Sequence, residues 1–466
     1  MNAAIRSQSG IINALIFLLL FSLCVAAAFA LATLNVYWAA GIVLGMAFFA
    51  VGFLSPRLSL FILMFSMLLS PEFGSRDVSG QGFTIRFEDL LILVMGFAWL
   101  AKSAVHKEIG LAIYTKLNRP ILIYIVVCFI STLLGIIRGT VASPITGIMF
   151  VLKYFEYFVI FFLTINNVSS KQHLKSLLGT MFAVYIIVVL IGFSQIPSGN
   201  RISAPFEGET GEPNTLGGYL IIMMSLNLAL FLYTENIRYR ILAGISAFMG
   251  FIALLYTLSR ASWLGFAMMY IVLIMLSTKK TVLIVAILIG ILIAPFVLPD
   301  VVVDRFLYTF QKDRKIGALS HYSLSELEYM YHTGDVSYDS STMARLNSMK
   351  QSLKDFQKKP MLGYGVTGYE FLDAQFHRVL IETGMIGFIS YLYLLFITGK
   401  SLYKVHKDYR KVPLYRIVSL GSIAAFIGLL FHSIGSNTFI IVRIMEPFWC
   451  LVGLNLSIIT IEKSDS

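Results

Sequence analysis

Residues 345–388 read RLNSMKQSLKDFQKKPMLGYGVTGYEFLDAQFHRVLIETGMIGF. The stretch opens as an amphipathic helix. Met343, just ahead of it, and Leu346, Met349, Leu353 and Phe356 recur at spacings of three and four, which lines them along one face. Lys350, Lys354 and Lys358 fall on another face. Pro360 ends the pattern, and Gly363, Gly365 and Gly368 predict a pliant turn. Asp373, His377 and Arg378 then stand directly before a strongly apolar run. A segment of soluble composition thus delivers charges to the mouth of a membrane helix. The plainer alternative is an amphipathic helix that only covers the bundle.

The rest of the chain decides what that helix joins. Of 466 residues, 58% are hydrophobic and 13% charged, and mean hydropathy is +0.81. That balance predicts an all-α polytopic membrane protein, because the apolar runs are too long for barrel strands. About fourteen spans (12–14) are expected, near 11–33, 36–54, 57–70, 88–104, 120–137, 145–167, 176–195, 216–233, 240–258, 261–277, 280–298, 379–399, 416–433 and 438–460. The first resembles a signal peptide at AAAFALA but is long enough to span, so it reads as a retained helix. The chain divides into a bundle at 1–298, a large loop at 299–378 between the eleventh and twelfth spans, and closing spans with a tail at 379–466.

Lysine and arginine set the orientation. With the N-terminus inside, short inner loops and the tail hold roughly nineteen basic residues against five on outer loops, which predicts cytoplasmic termini and an outward-facing large loop. The net charge of +11 is spread over these loops, which suits membrane lipid better than nucleic acid, and no nucleic-acid motif is present. Cys24, Cys128 and Cys450 all lie in apolar runs and match neither a metal site nor a disulfide framework.

The outer charges are the informative ones, since retention in the membrane does not require them. Arg201 opens RISAPFEGETGEPNTLGGYL, as a surface-loop residue or as a cation for an anionic group. Arg260, in LYTLSRASWLGF, sits between two apolar runs with almost no loop. A charge there costs on the order of 2–3 kcal/mol at membrane depth unless it snorkels or faces a polar cavity. Lys153 and Glu156 are three apart within one span and predict a structural ion pair, and Arg443 with Glu446 repeats the pattern. Arg443 is also near enough to the outer side to join an anion site. Arg86, Glu88 and Asp89 open the fourth span, where carboxylates suit the helix dipole. Asp373 and His377 are four apart, so a helix would bring them together as a proton-accepting pair. Tyr322, Tyr329, Tyr331 and Tyr338 in the large loop suit either a small core or sugar stacking. No metal-ligand cluster and no GxxxxGK loop accompany these residues, so no cofactor and no metal are expected. Arginine suits phosphate through its planar, permanently charged fork.

The ordered set R…F…PN…YL, SRASWLG, R…F…KKPMLGYG and F…LIETGMIGF resembles the O-antigen ligase and Wzy-type polysaccharide polymerase family. Upstream, LSPEFG…TIRFEDLLI and LKYFEYF are similar to its exopolysaccharide polymerases. The resemblance implies a GT-C-like glycosyltransferase of the bacterial inner membrane that needs no metal and takes its glycan from undecaprenyl diphosphate. It implies that Arg201 and Arg260 hold the diphosphate and that Arg345 is the large-loop arginine. Family ligases carry a His-Asn-like pair eleven residues before the first glycine of the final GxxG. Here that glycine is Gly384, and Asp373-Ala374 stands in the pair's place. The departure moves the base role to Asp373, with His377 as substitute, and favours a polymerase over a ligase. The expected partners are lipid-linked donor and acceptor glycans, membrane lipid, a chain-length regulator and a flippase. A flippase or other transporter is the remaining alternative. No inverted repeat supports it, and glycine and proline are concentrated outside the spans.

Overall fold

The structure, a computed structural model, describes residues 22, 36–73, 85–105, 113–207, 211–307 and 340–465. The first expected span, apart from Ser22, and the four loop tyrosines lie outside the described residues.

The described chain is helical apart from loops and one two-residue antiparallel pair. The helices are α1 (Val36–Leu54), α2 (Pro56–Leu69), α3 (Phe87–Val105), α4 (Asn118–Ile137), α5 (Pro144–Asn167), α6 (Lys171–Gln195), α7 (Pro213–Tyr233) and α8 (Ile237–Tyr256). They continue with α9 (Arg260–Leu276), α10 (Lys280–Val297), α11 (Asp300–Leu307), α12 (Ser340–Phe356), α13 (Gln375–Tyr409), α14 (Pro413–His432) and α15 (Val442–Asp465). Strands β1 (Glu72–Phe73) and β2 (Ile85–Arg86) pair between α2 and α3. Eight described helices are long and apolar enough to cross a membrane, and shorter apolar helices pack with them.

Local chemistry fixes the starts. Proline occupies the first helical position of α2, α5, α7 and α14, where its missing N–H costs no hydrogen bond. Ser55, Ser143, Ser170 and Ser259 each cap the helix that follows by accepting a backbone N–H.

Helices α7, α14 and α15 form the centre: 83%, 72% and 89% of their apolar windows are buried, against 33% for α8, which keeps a lipid-facing side. Small residues allow the central crossings. A Cβ on Gly265 of α9 would stand 2.8 Å from the Gly428 carbonyl of α14, so only glycine permits that approach.

Two expectations change. The twelfth span begins at Gln375 and runs to Tyr409, taking Lys400, Lys404 and Lys407 onto a helix where a loop was expected. It is also broken at Gly384, whose φ of 68° and ψ of −170° are not helical. Nor is the glycine turn before it pliant. Tyr364 N–H donates to Ile381 O at 3.0 Å and Gly365 N–H to Glu382 O at 2.8 Å. In return, Met385 N–H donates to Pro360 O at 2.8 Å and Ile386 N–H to Met361 O at 3.2 Å. The loop backbone therefore fills the helix break and satisfies groups that the break orphans. Ser131 of α4 adds a donor shared between Leu362 O at 2.6 Å and Glu382 O at 2.9 Å.

Candidate functional site

The site is assembled at the end of the bundle where the α6–α7 loop, the start of α9 and the start of α13 meet. The loop 201–207 is pinned along its length. Gln195 and Ser203 exchange two hydrogen bonds, Ser203 N–H to Gln195 Oε1 at 2.9 Å and Gln195 Nε2 to Ser203 O at 3.2 Å. Ile202 N–H donates to Tyr256 O at 3.3 Å, and Arg201 Nε donates to Thr257 O at 3.0 Å. Within 201–207 only Arg201 and Phe206 are exposed.

Arg260 is the first residue of α9 and is half-buried. Partial burial lowers the pKa of Arg201. The like charges of Arg305, Arg345 and Arg260 act in the same direction, and Glu212 opposes them. Four guanidinium groups therefore share one electrostatic neighbourhood, and they repel one another unless an anion joins them. Arg305, on α11, was not singled out from the sequence. Its signal was an arginine on a short amphipathic helix directly after a span.

Arg345 on α12 meets Asp373: Nη2 lies 3.2 Å and Nε 3.4 Å from Asp373 Oδ2. Both side chains are half-exposed. Because α13 begins at Gln375, Asp373 precedes the helix and does not form an i, i+4 pair with His377. Arg378 and Glu382, four apart and both buried, do form one, at 3.1 Å. Glu382 Oε1 also accepts Thr367 N–H at 3.2 Å, which tethers the docked loop to α13.

Arg443 is fully buried. It donates to Pro205 O and, at 3.0 Å, to Ser70 O, and lies 3.9 Å from Glu207. Depth in the bundle suggested it for an anion site; its described contacts run to the underside of the 201–207 loop and to the end of α2. Glu156 lies within electrostatic reach of Lys153, as its spacing suggests, and of Asp89. Lys153 of α5 donates to Asp89 of α3 at 2.9 Å, because Asp89 projects toward it across the bundle. Glu446 is buried within electrostatic reach of Glu88, Glu156, Asp89 and Arg86.

A second polar system joins the two halves of the site. Thr438 Oγ1 lies 2.7 Å from His432 Nδ1, and His432 Nε2 lies 3.1 Å from Ser262 Oγ. Ser262 Oγ donates to Ser259 Oγ at 2.8 Å, and Ser259 Oγ to Asn214 Oδ1 at 2.5 Å. Those directions require an imidazole protonated at Nε2 that accepts from Thr438. Beyond Thr438, Asn437 Nδ2 donates to Leu372 O at 2.6 Å and Phe439 N–H to Gln375 Oε1 at 3.1 Å. The start of α9 is thus tied to residues on either side of Asp373, the Leu372 carbonyl and the Gln375 side chain. In the sequence, His432 closes an apolar run and carries no local pattern that marks it.

Among the described residues, the non-glycine positions with positive φ are Phe206 (59°), Leu258 (48°) and Thr367 (64°). Each such conformation costs about 1–3 kcal/mol. One lies in the loop of Arg201, one two residues before Arg260, and one in the loop leading to Asp373. Strain is thus concentrated in the three segments that build the site.

No curated protein matches the chain. Residues 245–392, which carry Arg260, Arg305, Arg345, Asp373 and His377, match the family model described as O-antigen ligase, in keeping with the family that the motifs resemble.

Proposed function

We propose that the chain is a polysaccharide polymerase, which joins oligosaccharide repeat units carried on undecaprenyl diphosphate at the outer face of a bacterial inner membrane, without a metal. The observation that carries this is the pairing of Arg345 with Asp373 within electrostatic reach of Arg201, whose other cationic neighbours are Arg305 and Arg260. Such a set is permanently cationic and provides metal-free binding of an anion. Fourteen spans, both termini cytoplasmic, a GT-C-like arrangement, and a flippase and chain-length regulator as partners complete the proposal.

The chemistry follows from charge. The arginines bind the donor's diphosphate and stabilise the negative charge that grows as the bond from the anomeric carbon to the phosphate oxygen breaks. The acceptor sugar hydroxyl forms the new bond to that carbon, with inversion, and its proton passes to the Asp373 carboxylate. His377 is the substitute base. In the resting protein Asp373 is paired with Arg345 at 3.2 Å, so the carboxylate is occupied. A bound diphosphate competes for Arg345 and so releases Asp373. The polyprenyl chain has an apolar groove of about 660 Å3 between α13 and α14, bounded by Phe376 and Ile434 near the site and by Lys400 and Tyr403 at the other end.

A ligase that transfers a finished glycan once is the second reading, favoured by the family description. Product length separates the two. The purified protein in lipid discs, given a lipid-linked repeat unit, is expected to yield a ladder with release of undecaprenyl diphosphate. One transfer to an added acceptor establishes a ligase instead. No new bond with cognate substrate returns the question to transport. Arg260→Ala is expected to abolish the ladder while the protein still inserts; an undiminished ladder removes Arg260 from the site.

A further inference from the structure

We propose that Phe206 is a sugar-binding platform: its exposed ring receives the apolar face of the first sugar of a lipid-diphosphate-linked glycan whose diphosphate is held by Arg201. This deepens the site reading above and rests on it.

Three observations converge on Phe206. It is 55% exposed in a segment, 201–207, whose other residues, Arg201 apart, are buried. It holds a φ of 59°, a backbone conformation that glycine or asparagine adopts at less cost. Its two neighbours are locked from below. Pro205 O accepts from Arg443, while the buried Glu207 lies 3.9 Å from the same guanidinium and accepts Glu212 N–H at 2.8 Å. A fully buried arginine thus holds a bulky aromatic in a strained turn and leaves its ring outside the core. Phe206 is not among the rings that pack against the hydrophobic core, so core packing does not explain the arrangement.

The chemistry of the turn identifies the ligand class. Its two exposed side chains are a cation and an aromatic, five residues apart on a backbone fixed at both ends. A sugar diphosphate presents, in sequence, a dianionic group and a ring with a C–H-rich face. Guanidinium recognises the first and an aromatic face the second. Arg443 is on this account a positioning residue, acting through the turn it anchors.

The test uses full-length protein in lipid discs and two probes, undecaprenyl diphosphate and undecaprenyl diphosphoglucose, titrated calorimetrically. Phe206→Ala is expected to weaken binding of the glucose-bearing probe roughly three- to tenfold, the range for losing one aromatic contact. It is expected to leave the bare diphosphate within about twofold. Phe206→Tyr should restore binding of the glucose-bearing probe, and Arg201→Ala should weaken both probes. Equal losses for both probes with Phe206→Ala would make the ring a lipid contact and overturn the platform. No loss for either probe would overturn it too, leaving the diphosphate assignment intact. Failure of the unaltered protein to bind either probe removes the site reading itself, and the platform with it.

Discussion

Gly384 is the position where a single methyl group should separate the site from its support. Its φ of 68° and ψ of −170° lie in a region that only glycine enters readily, so Gly384→Ala carries about 1–3 kcal/mol of backbone strain. A Cβ there would also stand 2.5 Å from Leu362 N and closer still to the Met361 carbonyl. Neither atom can swing aside, because both belong to the backbone that fills the break. The loop must therefore lift, and the four backbone bonds of Tyr364, Gly365, Met385 and Ile386 go with it. At about 0.5–1.5 kcal/mol each, their loss adds roughly 2–6 kcal/mol to the strain. Lifting the loop displaces Leu372 and Asp373, so polymer formation should fall with docking. Limited proteolysis of the disc-embedded protein reads the first effect, as new cleavage within 360–371. The repeat-unit ladder reads the second. A Gly384→Ala protein with the parental cleavage pattern and heat stability would refute the claim that the break is filled by an immovable backbone.

Other expectations follow from single contacts. If Arg345 masks Asp373 until donor binds, then Asp373→Asn and Arg345→Ala each abolish most polymer formation, and the double variant loses little more than the worse single one; additive losses in a double-mutant cycle would deny the coupling. His432→Ala leaves the buried hydroxyls of Ser262 and Thr438 without their ring partner, at about 1–3 kcal/mol. His432→Gln should recover part of that loss in thermal unfolding, and equal stability of all three proteins would remove the bridging role. Asp355 has its carboxyl pulled down to about 2, chiefly by bonds from Lys358 and Tyr369 and then Gln351. Because the folded value lies below the ordinary one of 3.8, its contribution is complete above about pH 4 and is lost as pH falls toward 2. Cleavage after α12 should therefore rise over that window, and Asp355→Asn should flatten the rise.

Much of this was legible in the sequence, and the reasons for success and failure are physical. Apolar length gave the helices to within a few residues; Pro144, Pro213 and Ser259 fix their exact starts in the structure, by local capping that a count of apolar residues does not include. Arg260 stood out because a charge between adjoining apolar runs needs a reason. The spacing of Lys153 and Glu156 reports only neighbours on one helix, so it could not show that Lys153 also donates to Asp89 on another. The glycines at 363, 365 and 384 were visible. Pliancy is what glycine shows locally, whereas here it serves close approach by backbone 20 residues distant in sequence. His432 was invisible for a related reason. Its partners, Ser262 and Thr438, come from α9 and from the segment after α14, and no local spacing encodes that meeting.

These long-range contacts bear on how such a site works. Four arginines in one neighbourhood repel, and an arrangement of that kind persists only if the scaffold holds it. The scaffold does so through buried polar ties: Arg443 beneath Phe206, the chain from Asn214 to Thr438 behind Arg260, and Glu382 beneath Thr367. Each tie ends at, or passes beside, a residue with positive φ, so the strain at Phe206, Leu258 and Thr367 is offset by hydrogen bonds and an ion pair close by. On the proposed reaction, positive charge is therefore oriented before the diphosphate arrives and needs no reorganisation as the leaving group departs. Arg345 differs in its described partner. It sits on α12, half-exposed, with Asp373 as its ion-pair partner, and on the proposed reaction a diphosphate that draws Arg345 to itself frees that carboxylate for the proton of the acceptor.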